Sequence, residues 1–122
     1  MIKENPFLGK GLGTFMDYYK KHKIPGDETI YYAHNCYLQI WAETGIFGLL
    51  SFLLFVGSVL CRRIKAIKVN SLPWQSSVLL GLISAVFGFL VHSFFDTNLY
   101  SLQLAVLFWF MLGLAVSITH SS

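Results

Sequence analysis

Residues 45–60 read GIFGLLSFLLFVGSVL, a run without a single charged side chain. Two more runs of this kind follow, at 78–95 and 102–118. Each approaches the roughly 20 residues that an α-helix needs to cross about 30 Å of hydrocarbon. The sequence therefore predicts three transmembrane helices, over about 38–60, 77–95 and 100–119.

The composition supports a membrane protein over a soluble one. The chain has 122 residues, of which 55% are hydrophobic and only 12% charged, about half the charged share of a soluble domain. A soluble bundle with these runs as core helices would have too little polar surface to cover them. The net charge of +3 comes without the basic and aromatic pattern of a nucleic-acid site. We predict an all-α integral membrane protein with membrane lipid, and no nucleic acid, as a partner.

A polar, turn-rich segment precedes the first run. It contains Pro6 and a Gly-x-Gly-x-Gly stretch, Gly9 to Gly13, which is typical of loops. A short helix over 14–23 is predicted to lie in the membrane interface, where tyrosines are enriched. The chain is accordingly divided into a loop segment, 1–34, and a membrane helical segment, 35–122.

The distribution of basic residues predicts the orientation. The loop at 61–77 has four Lys or Arg and no acid, whereas the turn at 95–101 has neither Lys nor Arg. Because cytoplasmic loops carry the excess of positive charge, the turn and the N-terminal segment are placed outside the cytoplasm. The N-terminal segment has five lysines, but long polar segments count for less in this rule. His34, His92 and Asp96 are then expected at the same extracytoplasmic face.

Asn35, Gln39 and Glu43 are spaced i, i+4, i+8 and so share one face of the first membrane helix. Asn35 also suits the N-cap of that helix. Glu43 lies beside the apolar run, where a carboxylate costs a few kcal/mol and normally faces a partner or a watery cavity. The pattern favours a polar face that lines a site. The alternative is an interfacial turn whose polar side stays wet.

Other residues have a structural and a functional interpretation. His34, at the membrane boundary, is either a solvated or capping residue or a catalyst. His92 and Asp96, spaced i, i+4, either orient an imidazole for chemistry or fix a turn. Gly45 and Gly48 have the small-residue spacing that lets another helix approach closely. No metal site or cofactor is predicted, because no His or Cys pair has ligand spacing.

The Gly9-x-Gly11-x-Gly13 stretch also has two interpretations. Its backbone N–H groups could approach a phosphate, or the stretch is a structural loop. No Gly-Lys-Ser/Thr ends it, so it is not a Walker loop.

Three stretches together resemble the O-antigen ligase/polymerase family. His34-Asn35, nine further residues and Gly45-Ile-Phe-Gly48 match the His-[Asn/Ser/Gln]-x9-Gly-x-x-Gly motif of O-antigen ligases. The upstream NPFLGKGLGTF, 5–15, resembles that family's Asn-Pro-x-x-Gly-x-Gly-x-Gly segment. The downstream HSFFDTNLYSLQLAVLFWFMLGL, 92–114, is similar to its closing pair of spans.

The resemblance implies a metal-independent glycosyltransferase at the extracytoplasmic side of the bacterial cytoplasmic (inner) membrane, in lipopolysaccharide or other cell-envelope polysaccharide biosynthesis. The donor would be a glycan on undecaprenyl diphosphate, and the acceptor lipid A–core or another extracytoplasmic glycan. His34 would be the catalytic residue, since an imidazole suits the activation of an acceptor hydroxyl. The supporting or substrate-binding residues would be Asn35, Gln39, Glu43, His92 and Asp96.

Two alternatives stay open. One is an O-antigen or exopolysaccharide polymerase of the same family. The other is a non-catalytic membrane subunit or a transporter fragment.

The chain departs from the family in its cations. The family uses extracytoplasmic arginines for the diphosphate, yet Arg62 and Arg63 fall on the predicted cytoplasmic side. We therefore expect the chain to be the C-terminal portion of a longer protein, with missing upstream spans that supply the cations, and to be inactive alone.

Overall fold

The computed structural model describes residues 1–22, 34–67 and 73–118. Within these ranges the chain is helical and has no strand, which confirms the predicted all-α class. The helices are α1 (Phe15–His22), α2 (Cys36–Ala66), α3 (Pro73–His92) and α4 (Leu102–Ser117), with a short 3-10 helix at Asn98–Tyr100. The short helix predicted over 14–23 is present as α1. Parts of the predicted segments lie outside the described ranges: residues 23–33 of the loop segment, with Lys23; residues 68–72 of the basic loop, with Lys68; and residues 119–122.

Two helices are long and apolar enough to cross a membrane. They are α2, with 31 residues, and the stretch Trp74–His92 of α3, with 19. The third predicted span corresponds to α4, which has 16 residues and is thus about 24 Å long at ~1.5 Å per residue. Two of the three predicted spans therefore have the required length among the described residues.

The apolar side chains of both long helices are mostly exposed. In the most apolar 18-residue stretch of each helix, only 11% (α2) and 17% (α3) of the residues are buried. The core helix of a soluble protein would be largely covered, and large exposed apolar surfaces mark membrane or protein contacts. The pattern indicates a membrane protein.

The chain forms two compact units. The first consists of Met1–Leu53 and Ser93–Thr97, and it contains the N-terminal segment and the first part of α2. The start of α2 is held by the 93–97 turn, because the N–H of Cys36 donates to the carbonyl of Ser93 at 2.8 Å. Tyr37 packs on Phe94, with ring centroids 4.5 Å apart.

The second unit consists of Leu54–His92 and Asn98–Ser122. Its described core is formed by Leu79 and Ile83 of α3 and Ala115 of α4, surrounded by partly buried aliphatic side chains such as Leu60. Phe89 and Phe108 pack beside this core, with ring centroids 5.0 Å apart. Neither cysteine forms a disulfide.

Candidate functional site

A break in α2 at Gly45 is the central feature of the first unit. Gly45 has φ 75° and ψ 179°, a region of backbone conformation that is essentially restricted to glycine. A Cβ atom built on Gly45 would lie 2.0 Å from the carbonyl oxygen of Phe7. The break therefore requires glycine, both for its dihedral angles and for the close approach of another backbone.

The approaching backbone belongs to residues 5–13, here called the head loop. An unbroken helix would bond the N–H of Ile46 to the carbonyl of Ala42. Instead, Ile46 donates to the carbonyl of Pro6 at 3.0 Å, and Ala42 accepts from the N–H of Lys10 at 3.1 Å. The backbone groups released by the break are thus bonded by the head loop.

Two further contacts complete the junction between the head loop and α2. The N–H of Gly11 donates to the carbonyl of Glu43 at 2.9 Å, and the indole Nε1–H of Trp41 donates to the carbonyl of Pro6 at 2.9 Å. Gly9 (φ 70°) faces the same carbonyl of Glu43, and a Cβ atom on it would lie 2.2 Å from that oxygen. The two glycines therefore allow the same close contact from both sides. Gly9 has no side chain where α2 passes, and Gly45 has none where the head loop passes.

The carboxylate of Glu43 binds the head loop and the start of α1. Its Oε2 accepts from the N–H of Gly13 at 3.0 Å, and its Oε1 accepts from the N–H of Phe15 at 3.3 Å. Phe15 is the first residue of α1, and the first N–H groups of a helix lack partners inside that helix. A carboxylate is favoured there by the helix dipole. The side chain is only 1% exposed, so Glu43 is buried against backbone donors.

The rest of the polar face, Gln39 and Asn35, precedes this junction. Gln39 is 5% exposed, and its Nε2 donates to Oε1 of Glu43 at 3.5 Å. Its own Oε1 is buried and has no hydrogen-bond partner among the described residues. One turn earlier, Oδ1 of Asn35 accepts from the N–H of Leu38 at 3.0 Å. The predicted N-cap at Asn35 is confirmed.

His34 lies immediately before this cap. Its side chain is exposed, and its φ of 46° is the only positive value outside glycine among the described residues. Histidine, like Asn and Asp, is one of the residues enriched in this left-handed region. The imidazole is thus presented at the start of α2 from a backbone conformation that few other residues adopt.

His92 and Asp96 belong to different units, and each is described within its own unit. Because α3 ends at His92, helical spacing does not extend to Asp96. The Oδ1 atom of the exposed Asp96 accepts from the N–H of Thr97 at 2.7 Å, within the first unit. His92, in the second unit, has its Nδ1 atom 3.4 Å from the amide nitrogen of Asn98.

The glycine pairs have roles that the spacing alone did not indicate. Where the sequence predicts another helix against Gly45, the described neighbour is the backbone of the head loop. A Cβ atom on Gly48 would lie 2.1 Å from Oγ1 of Thr44, a hydroxyl that donates to the carbonyl of Ile40. The N–H groups of Gly11 and Gly13 donate to Glu43, as expected of a structural loop rather than a phosphate cradle.

An open groove of about 620 Å³ lies in the first unit, between the N-terminus, α1 and α2. At its edge, the phenol of Tyr18 donates to the carboxylate of Glu4, which also forms a salt bridge with Lys10 at 2.9 Å. These two contacts, the hydrogen bond first, lower the pKa of Glu4 from 4.5 to about 2. The same hydrogen bond raises the pKa of Tyr18.

The Glu4–Tyr18 contact has a predictable pH dependence. The lowered pKa of Glu4 means that its stabilising effect is fully present above about pH 4.5 and is lost as the pH falls through about 2. Because the pKa of Tyr18 is raised, the stabilising effect of the contact is lost only as the pH rises above the usual value of 10.0.

We expect Tyr18→Phe to move the pKa of Glu4 upward, toward 4.5, in an NMR titration. Tyr19→Phe, the control, should leave it unchanged, and an equally low pKa of Glu4 in Tyr18→Phe would contradict the assignment.

Sequence reasoning identified Glu43 but missed its partners. These partners are backbone N–H groups of the head loop and of α1, which leave no side-chain signal in the sequence. Among the described residues, no group of three His, Cys, Asp or Glu side chains is placed to hold a metal ion.

Comparison with known proteins gives one match. Searches of the curated proteins and of the solved structures found no similar protein. A family model described as O-antigen ligase matches residues 1–53. This range holds the head loop, α1, His34 and the Gly45 break. The resemblance drawn from the His34 and Gly45 motifs is confirmed over this range, so residues 1–53 carry the sequence pattern of the O-antigen ligase family.

Proposed function

We propose that this chain is part of a membrane glycosyltransferase that transfers a glycan from undecaprenyl diphosphate to lipid A–core or another extracytoplasmic acceptor. At the level of the family, the match over residues 1–53 supports ligase- or polymerase-like activity. The observation that carries the proposal is the position of His34. It lies exposed, one residue before the cap of a helix that is fixed to the family's glycine-rich loop.

His34 would act on the acceptor. An imidazole at this position can accept the proton of an acceptor hydroxyl, or hold that hydroxyl in place, while it attacks the sugar carbon bonded to the diphosphate. The hydrogen-bonded junction between the head loop and α2 favours this role, because catalytic groups must be held in position by their surroundings. Asn35 would support His34 by fixing the start of α2.

Glu43 and Gln39 would contribute indirectly. Both side chains are buried, Glu43 against the N–H groups of Gly13 and Phe15 and Gln39 against Glu43, so we assign them to the support of the site rather than to direct contact with the glycan. His92 and Asp96 remain proposed contributors at the same membrane face. The diphosphate leaving group needs nearby cations, which in this proposal come from spans upstream of this chain.

The proposed setting is the bacterial inner membrane, with the site on the extracytoplasmic side. In this arrangement α2, α3 and α4 are the three spans, and the basic residues at the C-terminal end of α2, Arg62, Arg63 and Lys65, lie in the cytoplasm. The positive-inside rule supports this orientation.

Replacement of His34 tests the proposal. Because asparagine also adopts positive φ readily, His34→Asn removes the imidazole while keeping the backbone conformation. We expect glycan transfer by the complete gene product to fall by about 10²–10⁴-fold, the usual contribution of general acid–base catalysis. Glycan transfer is measured in membranes from cells that lack the wild-type gene.

His22→Asn is the matched control, since His22 is an exposed histidine on α1. It should retain transfer, and both variants should insert into the membrane in wild-type amounts. Transfer at the wild-type rate in His34→Asn would refute the catalytic assignment and favour a non-catalytic membrane subunit. A ladder of products would identify a polymerase, whereas a single transfer to the acceptor would identify a ligase.

A further inference from the structure

Three large apolar side chains of the head loop are exposed. Phe7 is 62% exposed, Leu8 81% and Leu12 78%, in a loop whose other residues are mainly glycine or polar. Single exposed apolar residues are ordinary on protein surfaces, but these three lie within six positions of one another. They form an apolar surface on a segment that the sequence predicted to be a polar, extracytoplasmic loop.

This surface is continuous with the apolar surface of α2. The ring of Phe7 lies beside that of Phe47, with centroids 6.2 Å apart. Phe47 itself is 59% exposed, and Leu50, one turn further along α2, is 46% exposed. The apolar surface that α2 would present to lipid therefore continues onto the head loop.

The junction also fixes the level of the head loop along α2. The loop is bonded to α2 at Ala42, Glu43 and Ile46, which is where the polar face ends and the apolar run begins. Trp41, whose indole donates to Pro6, lies at the same level. Tryptophan is enriched where membrane hydrocarbon meets the headgroups, so this level corresponds to the edge of the hydrocarbon layer.

Part of the backbone of the head loop is bonded to protein, as a position at the edge of the lipid requires. Non-helical backbone is tolerated at membrane depth only where protein satisfies its polar groups. The carbonyl of Pro6 and the N–H groups of Lys10 and Gly11 are bonded to α2, and the N–H of Gly9 is bonded to Asn5. Lys10, the charged residue of the loop, is paired with Glu4 and has a long side chain that can reach the headgroups.

From these observations we propose that the head loop is a lipid-contacting re-entrant segment. Phe7, Leu8 and Leu12 insert into the bilayer at the edge of its hydrocarbon layer, beside α2, and their partner is the acyl region of membrane lipid. The inference is independent of the proposed enzymatic activity, because it rests only on the exposure, position and backbone bonding of this loop.

Spin labels in proteoliposomes test the proposal. A single cysteine is introduced as Leu8→Cys or Leu12→Cys into the full chain carrying Cys36→Ala and Cys61→Ser. Lys20→Cys, on an exposed position of α1, is the matched control. Collision of each label is measured with oxygen, which concentrates in hydrocarbon, and with a water-soluble nickel chelate.

We expect the ratio of oxygen to nickel collisions at positions 8 and 12 to exceed that at position 20 several-fold. Ratios equal to that of position 20 would mean that the loop lies in water, and would overturn the proposal. Low collision with both reagents at positions 8 and 12 would mean that protein covers the loop, and would overturn it as well. Because Leu8 and Leu12 are exposed, their replacement should leave the helical content by circular dichroism unchanged.

Discussion

Gly45→Ala is expected to release the head loop from α2. The backbone at Gly45 lies in a region restricted to glycine, which costs another residue on the order of 1–3 kcal/mol. The added Cβ would also overlap the carbonyl of Phe7, and no side-chain rotation relieves an overlap with backbone. We expect the first unit to be destabilised by about 3 kcal/mol or more, within the range of strongly destabilising backbone substitutions. Thermal unfolding in detergent and the rate of tryptic cleavage after Lys10 measure the effect.

Gly57→Ala is the matched control on the same helix. A Cβ atom at Gly57 meets no other atom within 4 Å, and alanine is the better helix former by about 1 kcal/mol. This variant should be as stable as the wild type or slightly more stable, with unchanged cleavage. Gly9→Ala should behave like Gly45→Ala, and the double variant should lose less than the sum of the two, because both break the same junction. If Gly45→Ala behaved like Gly57→Ala, the described junction would be wrong.

Glu43→Gln is expected to have the second-largest effect. The carboxylate accepts from two backbone N–H groups, those of Gly13 and Phe15, with one oxygen for each. An amide keeps the volume but has one acceptor oxygen, so one of these backbone donors loses its partner and faces the new NH₂ group. Hydrogen bonds to charged groups contribute about 1.5–3 kcal/mol each, and we expect destabilisation of that size. Hydrogen exchange at the amides of Gly13 and Phe15 should accelerate together with the loss of thermal stability.

Asp17→Asn makes the same change of charge at an exposed site in the first turn of α1. It should alter neither the exchange of Gly13 nor the unfolding temperature by more than a small amount, since surface substitutions are usually within ~0.5 kcal/mol. The pair of variants also separates two roles of Glu43. Lost glycan transfer with unchanged stability in Glu43→Gln would show that the carboxylate contacts substrate, against the supporting role proposed here.

The parts of the fold that depend on local pattern were predictable. The apolar runs predicted helices in the right regions, and the Asn35 cap followed from the preference of short polar side chains for the first turn. The polar face formed by Gln39 and Glu43 was also recognised from its spacing. These features are encoded within a few neighbouring residues.

The break at Gly45 was not predictable in the same way. The apolar run continues through it without interruption, and glycine is common in membrane helices, so the spacing of Gly45 and Gly48 indicated helix packing instead. The partner of Gly45 is the backbone of Phe7, which contributes no side-chain signal. The end of α3 was also not predictable from the i, i+4 spacing of His92 and Asp96, because that spacing has meaning only while a helix continues, and α3 ends at His92.

The hydrogen bonds of Glu43 have a consequence for biosynthesis. Gly13 and Glu43 are 30 residues apart, and Glu43 leaves the ribosome after the head loop and α1. The head loop therefore cannot complete its hydrogen bonds when it is made, and its exposed leucines and phenylalanine remain without their final surroundings until α2 has been synthesised and inserted. The junction thus forms in a fixed order: the Glu43–Gly45 segment, synthesised after the head loop, allows that loop to take up its native structure.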